Sequence, residues 1–297
     1  MISGILNVDK PAGWTSFDVV RFVRGRCGER RLGHAGTLDP AATGVLPLLL
    51  GQATRLTEYL VDTTKTYEAT ITLGVETDTY DAEGDVVARA DAAGVTRDDI
   101  EVALAAFRGE IMQMPPLYSA IKRDGEALYK KARRGEDVVL EPRPVRVDEL
   151  GIMRYDPPLI GLRIVCSKGF YVRSLAHDIG AALGVGGSLS ALRRTRVGSF
   201  QVEGAVDIDT LRDELTSGAW RDRLYAPDEV LLGRRAAILG DDNETRLRHG
   251  VAPVLGAGTL AAKPEELCRA YSASGDFLAV LRATGAREWR PDKVFVT

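Results

Sequence analysis

The segment that most restricts this 297-residue chain is residues 33–48, GHAGTLDPAATGVLPL. Three glycines, two prolines and two threonines in sixteen residues make a poor helix and a poor long strand. Glycine admits positive φ and close backbone approach, while proline fixes φ and removes a donor. The stretch reads as a tightly shaped loop feeding a buried apolar run over 45–50. It carries one imidazole, His34, and one carboxylate, Asp39, among side chains small enough to let a ligand come close. Pro40 pushes Asp39 towards an extended or turn conformation. Two readings of Asp39 stand side by side: a nucleophile or base presented by a glycine-bordered loop, or an Asx-turn acid that stabilises its own loop.

Length and composition set the frame. The chain can bury a substantial core with room for a second, smaller domain. Its 45% hydrophobic and 27% charged residues are ordinary for a globular protein. No apolar run approaches the roughly 20 residues that span a bilayer, and the first residues lack the regions of a secretory signal. Three scattered cysteines, Cys27, Cys166 and Cys268, suit buried small hydrophobes in a reducing compartment rather than a disulfide framework. The expectation is a cytoplasmic protein. A net charge of −3 speaks mildly against nucleic acid as a whole-chain statement, but binding follows local charge. Acid gathers over 76–110. Base gathers in three places: Arg21, Arg24, Arg26, Arg30 and Arg31; Lys122, Arg123, Lys130, Lys131, Arg133 and Arg134; and Arg193, Arg194 and Arg196. One such group is usually a solvated face; three on an acidic protein are harder to dismiss.

Taken in order, 5–11 reads as a strand closed by Lys-Pro-Ala-Gly, then a helix capped by Thr15 or Ser16. Residues 53–60 suit a helical turn or two. Residues 65–74 alternate, with Tyr67, Ala69, Ile71 and Leu73 on one face of a half-buried strand. Residues 76–94 read as an exposed acidic connection. Thr96 caps a helix whose Ile100, Ala103, Leu104 and Phe107 form a packed stripe. Adjacent prolines confine 113–122 to a sheet edge, and a basic helix is expected over 126–134. Strands are expected over 145–152 and 160–166, then Ser-Lys-Gly leads into a helix beginning near Tyr171 and Arg173 and stopping at Gly184. A further strand is expected over 197–206 and a helix over 211–220. Beyond about Val230 the texture turns to short strands and glycine turns, including 250–253, 268–271, 276–281 and 289–296.

Several of these segments resemble one family. Residues 33–48 resemble the catalytic motif of the TruB family, bacterial pseudouridine synthases acting on the T-loop uridine of tRNA, position 55. Lys10-Pro11-x-Gly13-x-Thr15-Ser16, Lys65-x-Tyr67, Gln113-x-Pro115-Pro116-x-Tyr118-Ser119-Ala120, Lys168-Gly169-x-Tyr171-x-Arg173 and Leu192-Arg193-Arg194-Thr195 resemble its other motifs in the same order. The resemblance implies that Asp39 is the catalytic residue. It implies that Tyr67 stacks on the target uracil, that Tyr171 and Leu192 line the nucleotide pocket, and that Arg173 stands against the aspartate. Read without it, Tyr67 is a core aromatic, Leu192 a core leucine and Arg173 a partner for some surface acid. His34 either supports the RNA around the vacated uridine or shapes the loop. The implied fold is α+β: a pseudouridine synthase catalytic domain over 1–229 with a mixed, mainly antiparallel sheet, and a small β-rich PUA-like RNA-binding domain over 230–297.

Cofactor chemistry finds no foothold. The three histidines are dispersed, no spacing suits zinc, and neither a phosphate-binding nor a dinucleotide-binding glycine loop is present. No pair of motif carboxylates suits glycoside hydrolysis. One essential acid, no metal and no cofactor fit pseudouridylation, in which the carboxylate attacks C1′, adds at C6 or takes a sugar proton. The expected partner is the T-stem-loop of tRNA, reached by base flipping, with the protein a monomer needing no obligate protein partner. A guide-RNA-dependent pseudouridine synthase and a non-catalytic RNA-binding protein are the competing readings.

Overall fold

A computed structural model describes residues 2–118, 122–123, 126–127, 134, 140–255 and 261–295. The architecture is α+β. A ten-stranded mixed sheet runs in the order Val206–Asp207, Gly4–Lys10, Thr43–Leu50, Gly187–Val197, Lys65–Leu73, Leu159–Cys166, Arg143–Asp156, Gly109–Gln113. Leu32–His34 joins it beside Thr43–Leu50, and Phe200–Gln201 beside Gly187–Val197. Two pairings are parallel, Gly4–Lys10 with Val206–Asp207 and Thr43–Leu50 with Gly187–Val197; the rest are antiparallel. The expected alternation holds in Lys65–Leu73, where Ala69, Ile71 and Leu73 are buried and Glu68 is exposed.

Helices cover the sheet where local signals start and stop them. Ser16–Cys27 begins with a capping box between Thr15 and Asp18 and ends at Gly28, whose φ is +75°. Thr96 and Asp99 form the same box for Arg97–Ala105. Ser16–Cys27 and Ile208–Ser217 pack Val19, Val23, Leu211 and Leu215 against Leu6, Val8, Leu46 and Leu48. Val172–Ala182 packs Leu175, Ala176 and Ile179 with Ile71, Leu162 and Ile164.

A second, four-stranded sheet of Arg235–Ile238, Leu267–Tyr271, Phe277–Ala283 and Trp289–Val294 closes the chain. Leu267 and Val280 join a cluster with Ile5, Val45 and Leu49, so the two sheets share buried surface.

The structure corrects four local expectations. No single strand occupies 197–206: the strand runs earlier, over Gly187–Val197, and a short hairpin and the 3-10 turn Val202–Gly204 come after it. The bulges between Leu189 and Ala191 and between Arg194 and Arg196 break the alternation that would have marked it. Residues 250–253 form no strand, and Asp241–Arg248, rich in charge, forms a helix instead. The connection at 76–94 contains a hairpin, Val75–Thr77 with Val86–Arg89, of which only the second strand is exposed throughout. Glu126–Ala127 pairs with Lys122–Arg123 rather than starting a helix. The remainder of the helix expected over 126–134, the side chains of the basic group at 122–133, and Ser119 and Ala120 lie outside the described residues.

Candidate active site

Asp39 is held by both of its neighbours. Thr15 takes the helix cap, which leaves the buried Ser16 side chain to accept from Leu38 N (2.9 Å) and donate to Leu38 O (3.1 Å). On the other side Pro40 O accepts from Gly13 N (2.9 Å) and from the Lys10 ammonium (3.1 Å). Lys10 also donates to Pro11 O and Trp14 O, so one buried cation ties the opening turn to the aspartate loop. Burial lowers the Lys10 pKa to about 8, against the opposing pull of Asp39.

The loop then enters Thr43–Leu50 through Gly44. Its φ is +104°, and a Cβ there would stand 2.1 Å from Arg194 O. Only glycine lets the parallel strand come this near. Arg194 itself is 1% exposed and donates to Val45 O (2.8 Å) and Gly36 O (3.0 Å). Its guanidinium lies near the Tyr67 hydroxyl, and burial lowers the Arg194 pKa against the pull of that neighbour. Strand register brings this about, because Arg194 lies opposite Tyr67 and Leu192 opposite Ala69. Arg194 is thus buried structure, unlike the more exposed Arg193 and Arg196 beside it in the sequence.

From the far side, Val172–Ala182 delivers its first turn. Gln113 is buried at the sheet edge and clamps Tyr171, donating to its carbonyl (2.9 Å) and accepting from its amide (2.8 Å). Arg173 follows, its Nε 3.0 Å from Asp39 Oδ2 and one Nη 3.4 Å from Asp81 Oδ2. Its guanidinium also donates to Tyr118 O (3.0 Å) and Thr79 O (3.5 Å). The Arg173 side chain is 9% exposed and Asp81 14%, whereas Asp39 keeps 42% and faces the opening. Protein crowded around Asp39 pushes its pKa above the ordinary carboxylate value; Arg173 pulls it down, Asp81 pushes it up and Lys10 pulls it down.

These groups surround a cavity of about 350 Å³, within the range of small-ligand sites. Asp39, Tyr67, Tyr171, Arg173 and Leu192 all line it, together with Lys65 and Arg194. His34 is half-buried at the end of Leu32–His34, outside this lining. Burial and the nearby Arg194 lower its pKa, and a backbone hydrogen bond at Gly36 opposes them.

Sequence reasoning missed Asp81, Gln113 as a clamp, Ser16 as a second anchor, and the buried cations Lys10, Lys65 and Arg194. The position of Gln113 inside the Q-x-P-P segment was a usable signal. Asp81 had none, since it sits in an acidic stretch that looks like surface.

The comparisons agree with one another. The family model for the TruB family pseudouridylate synthase N-terminal domain matches residues 24–172, and that for the tRNA pseudouridylate synthase B C-terminal domain matches 173–254. The chain belongs to the TruB family. Over 296 residues it is 42% identical to tRNA pseudouridine synthase B of Dehalococcoides mccartyi, covering 99% of this chain and 97% of the relative. It is 44% identical over 301 residues to the enzyme of that name from Arthrobacter sp., covering 96% and 94%. Among solved structures, a chain of a Cbf5-Nop10-Gar1 complex superposes with a TM-score of 0.77 at 28% identity, covering 99% of this chain and 85% of that one. A chain of an H/ACA RNP bound to a substrate RNA containing 2'-deoxyuridine gives 0.76 at 25%, with the same coverage. The pseudouridine synthase fold, with its mixed sheet and small second sheet, is therefore this chain's fold.

Proposed function

We propose that this protein isomerises uridine 55 in the T-loop of tRNA to pseudouridine, with Asp39 as the catalytic carboxylate. The observation that carries the reading is the position of Asp39: it is the carboxylate lining the aromatic-walled cavity, ion-paired to a largely buried arginine and open to a ligand. In the reaction C1′ migrates from N1 to C5, the C5 proton leaves and N1 ends with one, so no oxidant or phosphoryl donor is required. An unprotonated carboxylate serves attack at C1′, addition at C6 or removal of a sugar proton alike. Arg173 keeps that carboxylate charged and aimed, because a planar guanidinium fork holds one geometry.

A uridine stacked in a folded T-loop must be extruded first, at a cost of a few kcal/mol. Tyr67 and Tyr171 offer aromatic faces to the flipped base and Leu192 an apolar edge, which offsets part of that cost. His34, on the strand leading to the loop, either meets the RNA as the base leaves or keeps the loop in shape. Residues 1–229 form the catalytic domain in this reading, and 230–297 a PUA-like unit that adds RNA contact. The protein acts as a monomer on tRNA in the cytoplasm. Near end-to-end matches to relatives named as tRNA enzymes favour this over a guide-RNA-dependent assembly.

The test uses an unmodified tRNA transcript labelled with tritium at uridine C5. Wild-type protein should release tritium and leave pseudouridine at position 55 alone, and Asp39→Asn should release none. Absence of release by folded wild-type protein, or modification mapped elsewhere, overturns the reading.

A further inference from the structure

Tyr80 has φ +64°, a left-handed backbone that a bulky aromatic residue rarely adopts. It stands between the two residues of its loop that face Arg173. Thr79 presents its carbonyl at 3.5 Å and Asp81 its carboxylate at 3.4 Å from the same Arg173 nitrogen. An extended or right-handed residue between them would turn one of these groups away. The left-handed turn therefore allows a single guanidinium to take both. Strain of this kind persists only where the surroundings over-determine it.

The surroundings are visible. The Tyr80 ring stacks on His177, with centroids 4.1 Å apart and planes at 13°. His177 lies one helical turn after Arg173 on Val172–Ala182, so both project from one face of that helix. The buried His177 Nδ1 has no hydrogen-bond partner among the described residues, so no bond at that nitrogen competes with the stack in orienting the ring. The backbone on either side of the tyrosine is fastened too. Leu189 N donates to Tyr80 O (2.9 Å) and Ala82 N to Leu189 O (2.9 Å). Thr79 Oγ1 donates to Asp81 Oδ1 (2.6 Å), and Glu83 N donates to the same oxygen (3.1 Å). With Oδ1 taken, Oδ2 is the oxygen left for Arg173.

We infer that Tyr80 and His177 are positioning residues: their stack holds the 77–85 loop in the strained turn that presents Asp81 to Arg173, and through Arg173 fixes Asp39. The inference rests on the proposed activity, and it concerns a contact outside the cavity. Neither ring lines the cavity. The helix thus grips the loop by two handles a turn apart, one ionic and one aromatic. Losing the aromatic handle frees the loop to relax out of its strain and carry Asp81 away.

The experiment measures single-turnover pseudouridine formation and tRNA affinity for wild type, Tyr80→Ala, His177→Ala and Tyr80→Phe, each also in an Asp81→Ala background, with folding checked by thermal melting. Expected are rate losses of about tenfold for Tyr80→Ala and for His177→Ala with unchanged affinity. Tyr80→Phe, which keeps the ring, should retain most of the rate. In the Asp81→Ala background neither ring variant should lose anything further, because pathways that act through one group are not additive. Full additive losses, losses confined to affinity, or a folded His177→Ala with wild-type rate would each overturn the inference. His177→Ala alone decides the matter if Tyr80→Ala does not fold. Wild-type protein inactive on tRNA would instead sink the proposed function, so the two failures are distinct.

Discussion

The two sides of the cavity hold their cations in different ways. Beneath and behind it, Lys10, Lys65 and Arg194 lean on main-chain carbonyls: Pro11, Trp14 and Pro40 for the first, Val61 and Thr63 for the second, Val45 and Gly36 for the third. Arg173 takes the carbonyls of Tyr118 and Thr79 as well, but it differs in pairing with carboxylates, Asp39 and Asp81. A carbonyl stays neutral and sits wherever the backbone puts it, so the first set fixes shape. Carboxylates change charge with pH and with what occupies the cavity, so under the proposed function the second set governs reactivity. Position in the sheet separates the two: the first set grows from its strands and the turns around them, the second from a helix start and two loops.

The largest expected effect falls on the carboxylate side. Asp39→Asn should lower the single-turnover rate by at least about 10³-fold, the upper span of a lost acid–base or nucleophilic group, with tRNA affinity changed only a few-fold. A residual rate above a tenth of wild type would remove Asp39 from the chemistry. Arg173→Lys should cost about 10²-fold, as for loss of one preorganised charged donor. An ammonium cannot span two carboxylates and two carbonyls from one planar group. Equal rates for Lys and Arg would show that charge alone suffices there.

Asp81→Asn should cost about tenfold, roughly 1.4 kcal/mol, and move the acid limb of the rate profile. Asp81 raises the Asp39 pKa, so removing its charge lets Asp39 stay ionised to lower pH, and the limb moves down. Movement to higher pH would mean that the variant acts by releasing Arg173. The smallest effect on rate belongs to the carbonyl-bound side. Lys65 is 6% exposed, and burial lowers its pKa to about 8. Lys65→Met should leave the rate within about threefold but lower the denaturant midpoint. Each orphaned carbonyl costs about 1–3 kcal/mol. A large rate loss without a change in stability would erase the contrast between the two sides.

The sequence was most readable where a residue's role is declared by its neighbours along the chain. Asp39 stands among glycines before a proline, Tyr67 alternates inward, and Tyr171 and Arg173 follow a strand-stopping Ser-Lys-Gly. These converge on one cavity with Leu192. Arg194 was unreadable because its class depends on strand register: Arg193 reaches Asp9 at 2.6 Å, while the next residue turns inward. Asp81 was unreadable because its loop looks solvated until Arg173 arrives from a helix far along the chain. The helix Asp241–Arg248 was missed for a related reason. Its mean composition is polar and only Leu247 is buried, so periodicity had little to register.

The parallel pairing at Gly44 has a consequence during synthesis. Arg194 reaches Val45 across 149 residues of chain, so one of the strands that flank Thr43–Leu50 is made long after the aspartate. A growing chain would carry Asp39 early, with no cavity to set it in. Tyr67 would then lack its backing arginine, and the loop at Gly36 its buried donor. Under the proposed function, competence to hold a base would therefore arrive late, when Gly187–Val197 emerges and slots between two strands already made. Pairing over such separations is slow to form, so insertion of this strand is expected to come late in folding.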